Sequence, residues 1–100
     1  MYDVIIIGKG PAGISASLYT VRANLKTLVI GKGDSALKKA ERIENYYGFS
    51  EAINGERLLA EGEKQAARLG VEIIESEVIS IEKNEFFEVL TSDDRYMAKA

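Results

Sequence analysis

Val4-Ile5-Ile6-Ile7 running straight into Gly8-Lys9-Gly10-Pro11-Ala12-Gly13 leaves this chain few ways to fold. Four apolar β-branched residues in a row are too few and too branched at Cβ to prefer a helix, and predict a strand buried on both faces, as in a parallel sheet. Gly8, Gly10 and Gly13 then follow the spacing G-x-G-x-x-G, with Pro11 where a helix would open. The pattern is strand, tight turn, helix.

Such a turn suits a phosphate. Gly8 allows a bend that a Cβ would obstruct, Gly10 lets a pyrophosphate come close to the main chain, and Gly13 lets the helix lie tightly on the strand. Unpaired N–H groups at the helix start, with the positive end of its dipole, form an anion site without any cationic side chain. The competing reading is a glycine-rich structural turn. The strand before the triplet and the proline and small-residue helix after it favour dinucleotide binding.

The following segment carries Ile14, Leu18 and Val21 on one helical face, and Asn24 suits the left-handed conformation that closes a helix. Tyr19 and Arg22 read as surface. Thr27-Leu28-Val29-Ile30 is a second strand, expected to lie parallel to and beside the first. A nucleotide-binding fold normally presents Asp or Glu at the end of this strand, about 20 residues past the glycines, to the adenosine ribose. This chain presents Gly31. Asp34 reaches a ribose only if the surrounding glycines bend the loop back; otherwise it is a turn or cap residue.

Residues 35–44 read as an exposed polar excursion. Ile43-Glu44-Asn45-Tyr46-Tyr47-Gly48-Phe49 is an aromatic cluster, either a small satellite core or a flat surface for a planar ring. Asn54 and Glu56 mark a second helix start. Its stripe Leu58, Leu59, Gly62, Ala66 and Leu69 is core, Glu61, Lys64 and Arg68 face water, and Gly70 closes it. Val71 to Glu75 forms a third strand. From Val78 to Ala98 short β-rich runs separated by Lys83-Asn84-Glu85 and Ser92-Asp93-Asp94-Arg95 leave no room for helices, which predicts an antiparallel meander.

The expected fold is therefore α/β: a Rossmann-like parallel sheet over residues 1–75, built strand-helix-strand-helix-strand, with an antiparallel β-meander appended over residues 76–100. Charged residues are 29% of the chain and the net charge is −3, with Lys and Arg scattered among acids, so no basic stripe for nucleic acid exists. No apolar run approaches the ~20 residues that cross a bilayer, and a cytoplasmic protein is expected. The chain has no cysteine and no histidine, which excludes disulfides, thiolate chemistry and histidine-based metal or acid-base work within these residues. It carries no evident catalytic or metal-binding group of its own.

The order strand, G-x-G-P-A-G, helix, strand, helix, strand, meander resembles the amino-terminal half of the FAD domain in the two-dinucleotide-binding flavoproteins. With Arg22-Ala23-Asn24-Leu25 and Ile43-Glu44-Asn45-Tyr46-Tyr47-Gly48 added, it is similar to the low-molecular-weight thioredoxin reductases. That resemblance implies that Gly8, Gly10, Pro11, Ala12 and Gly13 hold the FAD pyrophosphate. It also implies that Asn45 lies beside the flavin or its ribityl chain, and that Val78, with Glu77 or Ile79, meets the adenine. In such enzymes NAD(P)H reduces FAD and the electrons pass to a cysteine pair, the nicotinamide site and the cysteines lying in another domain. The chain departs from the family in having Ser35-Ala36-Leu37-Lys38-Lys39-Ala40 where Gly-Gly-Gln is common, and Tyr47 where proline is usual. A segment of a longer flavoprotein is expected; were the chain complete as it stands, a sheet edge and an apolar face that the missing half would cover would be exposed, which predicts self-association or a homodimer. The alternatives are a noncatalytic nucleotide-binding or interaction module, and direct binding of NAD by the same turn.

Overall fold

The computed structural model describes residues 1–32 and 55–100. Strand β1 (Val4–Ile7) leads through the glycine turn into helix α1 (Pro11–Arg22) and strand β2 (Thr27–Gly31). Helix α2 (Gly55–Arg68) and strand β3 (Glu72–Glu75) follow, then β4 (Val78–Lys83), β5 (Phe87–Thr91) and β6 (Arg95–Ala98). Two three-stranded sheets result, one in the order β1-β2-β3 and one in the order β4-β5-β6. The first is parallel throughout, with Ile6 opposite Val29 and Val29 opposite Ile73. The second is antiparallel, so the expected change of rhythm after the third strand is present.

The central strand ties three layers together. Leu28, Val29 and Ile30 have no exposed surface, and their side chains alternate between faces because a strand repeats every two residues. Val29 joins Ile14, Ala66 and Val71 on the helical side, with Leu18, Val21 and Leu59 packed around them. Leu28 and Ile30 join Val89 on the other side, against Tyr2, Ile5, Val78 and Tyr96. Each such side chain contributes about 1.5–3 kcal/mol by leaving water, so β2 is where the two cores are coupled. The Thr20 and Thr27 hydroxyls, 2.8 Å apart, add a polar joint between α1 and β2.

β1 differs from the sequence expectation. It is only partly buried, and Ile7 at its end is 47% exposed. The reason is its place at the margin of the sheet, where full cover from both layers is reserved for the central strand. Its outer edge is bordered at the start by the chain's last residues: Tyr2 N–H donates to the Met97 carbonyl at 2.9 Å and Ile5 N–H to the Ala100 carbonyl at 3.0 Å. Leu69 also differs. It lies one residue past α2 and is 41% exposed, whereas Leu58 and Ala66 are buried as the helical stripe requires. Asn24 closes the first helix with φ of 64°, in the left-handed region expected of it.

Away from the glycine turn, Tyr2 spans β2 to donate a hydrogen bond to the Glu72 carboxylate at the start of β3. Burial, then that hydrogen bond and the negative charge of Glu72, push the phenol up to about 12. A folded-state pKa above the unfolded value near 10 means that the native chain binds the proton more tightly. The contribution is therefore complete below pH 10 and is lost as pH rises toward 12. Chemical unfolding followed between pH 9 and 12 should show stability falling through that window, with a shallower fall in Tyr2→Phe; parallel curves would contradict this.

Candidate functional site

The glycine turn sits at the carboxyl ends of the parallel strands, where open α/β sheets take their ligands. Each of its glycines has a different justification. Gly8 has φ of +114°, a conformation that side-chain-bearing residues rarely adopt, and nothing lies within 4 Å of where its Cβ would be. Gly13 is needed for space, since a Cβ there would stand 1.9 Å from the Gly8 carbonyl oxygen. Gly10 has φ of −78° and ψ of −172°, which any residue can adopt, so its own backbone does not call for glycine. A ligand approaching the main chain would.

Pro11 is the first residue of α1, as the sequence predicts, and Gly10 is its N-cap with no side chain to satisfy the first amides. Gly8 N–H donates to the Ile30 carbonyl at 2.7 Å and Ile14 N–H to the Gly10 carbonyl at 3.0 Å. Among the described residues no main-chain acceptor takes the amides of Gly10, Ala12 or Gly13. Pro11 has no N–H to offer. Donors without a main-chain acceptor among the described residues and the positive end of a helix dipole thus lie together at the start of α1, an arrangement that attracts an anion. A groove of about 600 Å³ between α1 and α2, walled by Ile14, Leu18, Leu58 and Gly62, reaches Pro11 at the start of α1 but is lined by none of the three turn glycines.

The structure also explains the glycine at the end of β2. A Cβ on Gly31 would stand 2.7 Å from both the Lys9 main-chain nitrogen and its Cγ. The turn lies directly on this residue, so an acidic side chain at position 31 is sterically barred. Lys9 itself is invisible to motif reading, because it occupies a variable position of G-x-G-x-x-G. Its ammonium stands 3.7 Å from Glu63 on α2 and 3.7 Å from Glu75 at the end of β3.

Of the other sequence candidates, Asp34 and Asn45 lie outside the described residues. Val78 is half-buried in the core between the two sheets, packed with Leu28, Ile30 and Val89. A β-bulge follows it, as Val78 pairs with Thr91 but Ser80 with Leu90. The extra residue, Ile79, is left 62% exposed. Ser76, just before β4, donates its hydroxyl to Asp93 at 2.8 Å and its N–H to the Gly31 carbonyl at 3.1 Å, fixing this loop to the end of β2.

A parallel strand, a glycine turn with open amides and a helix, backed by a second sheet, define a nucleotide-binding α/β protein. The chain belongs to the pyridine nucleotide-disulphide oxidoreductase family, whose pattern matches residues 2–99. It is 44% identical over 86 residues to a thioredoxin reductase of Aquifex aeolicus, covering 84% of this chain and 27% of that protein. With the thioredoxin reductase of Bacillus subtilis the identity is 40% over 103 residues, 100% of this chain and 32% of the relative. The structure of a thioredoxin reductase from Gloeobacter violaceus superposes with a TM-score of 0.93 at 31% identity, covering 99% of this chain and 32% of that one. The chain thus spans 27–32% of the length of these relatives. The likeness is the expected one, to the amino-terminal part of the FAD domain of thioredoxin reductase-like flavoproteins.

Proposed function

We propose that this chain binds the pyrophosphate of FAD through the turn Gly8, Gly10, Pro11, Ala12 and Gly13, as the amino-terminal segment of a thioredoxin reductase-like oxidoreductase. The observation that carries the reading is that the amides of Gly10, Ala12 and Gly13, at the start of α1, meet no main-chain acceptor among the described residues, while the Gly10 backbone itself has no need to be glycine. Family membership supports the choice of cofactor. Bound FAD would accept hydride from NAD(P)H and pass electrons to a disulfide or a similar acceptor. The segment's own work is to hold the diphosphate, exclude side chains from it and order the adenosine end. In this reading Asn45 adjoins the flavin, Asp34 serves the ribose, and the loop at Val78 meets the adenine.

The proposed setting is the cytoplasm; among the described residues no helix is long and apolar enough to cross a membrane. The exposed Ile7, at the margin of the parallel sheet, favours self-association or a homodimer. The purified protein should show the two-band visible spectrum of a flavin or take up FAD on titration, and calorimetry should give no comparable binding of NAD. Uptake of neither would favour a noncatalytic interaction module, and tight binding of NAD alone would assign the turn to that dinucleotide.

A further inference from the structure

Lys9 sits in the glycine turn, beside the point where an anion would be held, and a cation there invites assignment as a phosphate ligand. The side chain is engaged elsewhere. Its stem lies across Gly31, where a Cβ would meet Lys9 Cγ at 2.7 Å, and its ammonium stands between Glu63 and Glu75, 3.7 Å from each. The Lys9 side chain is 21% exposed and that of Glu63 32%, so this contact is better shielded than an ordinary surface pair, whereas Glu75 at 66% is more open. One side chain thereby links the turn after β1 to α2 and to the end of β3, crossing the end of β2 on the way.

We propose that Lys9, Glu63 and Glu75 form an electrostatic strap that positions the glycine turn, so that Lys9 acts on the bound diphosphate through the turn's geometry and not by touching it. This rests on the FAD reading above for its consequence, but the strap itself can be read without cofactor. The turn hinges at Gly8, whose φ of +114° belongs to a residue with more backbone freedom than any other. Holding the next residue down on Gly31 removes that freedom before the ligand arrives, and preorganised donors bind more tightly than donors that must be ordered on binding.

Two measurements test it. In hydrogen exchange of the apo protein, Lys9→Met, which keeps the stem and loses the charge, should exchange faster than wild type at the hydrogen-bonded amides that flank the turn, Gly8 and Ile14, while Lys9→Arg should not. Unchanged exchange in Lys9→Met overturns the strap, whatever binds. In FAD titrations, Lys9→Met should raise Kd about fivefold in the wild-type background, the scale of partly shielded ion pairs. In a Glu63→Gln, Glu75→Gln background the same change should have almost no effect, because Lys9 has nothing left to grip. A direct phosphate contact predicts the opposite, an equal or larger loss once the ammonium is freed from its carboxylates, and that result overturns the proposal. Failure of the wild-type protein to bind FAD, with strap-dependent exchange intact, would sink the cofactor reading and leave the strap standing.

Discussion

Gly13→Ala should abolish FAD binding and destabilise the fold by about 3 kcal/mol or more, the upper range for forcing atoms into occupied space. The new methyl would stand 1.9 Å from the Gly8 carbonyl oxygen and 3.0 Å from its carbon, with the Ile6 side chain 3.5 Å away. Both close atoms belong to backbone. No rotamer change relieves the contact, and α1 must lift from β1 or the turn must open. Lifting α1 disturbs Ile14, Leu18 and Val21, which pack in the core shared with Val29 and Ala66. Opening the turn scatters the amides of Gly10, Ala12 and Gly13. Urea unfolding together with a flavin titration reads both losses. A variant as stable as wild type that still takes up FAD would refute the close approach of helix and turn.

The second large effect runs against simple motif logic. Nucleotide-binding folds favour an acid at the end of the second strand, so motif logic alone recommends Gly31→Glu to improve ribose binding. It should do harm instead. The Cβ would lie 2.7 Å from the main-chain nitrogen and 2.7 Å from Cγ of Lys9. The nitrogen belongs to the turn and cannot move without changing where the amides point. We expect a loss of about 2 kcal/mol in stability and at least about a tenfold weaker FAD affinity, equivalent to about 1.4 kcal/mol. Gly31→Ala should show the same signs, since the obstruction begins at Cβ. Tighter FAD binding by Gly31→Glu, measured by fluorescence quenching, would show that the turn yields and that position 31 is open to an acid.

These two glycines separate local from distant information. Gly8 and Pro11 act on their own φ angles, and Asn24 on its own left-handed backbone, so the strand, turn and first helix are legible in one short stretch of sequence. The β-branched run at Thr27 to Ile30 and the change from helical to alternating period after Glu75 are equally local, which is why the parallel unit and the meander could be expected in order. Other features depend on partners far away in the chain. Ile7 reads as core by composition and is 47% exposed because β1 lies at the margin of the sheet. Val78 is held in the core between the sheets by Leu28 and Ile30, and the bulge that turns Ile79 outward follows from pairing with β5.

The sequence alone determined that amides would gather at the start of a helix, because three residues without side chains and a proline permit little else at that spacing. Tertiary structure alone decided why position 31 carries no acid and what Lys9 holds. Glu63 and Glu75 reach that lysine from a different helix and a different strand. Steric exclusion and ion pairing act through space, and no spacing rule along the chain records which side chains the fold will bring within 4 Å.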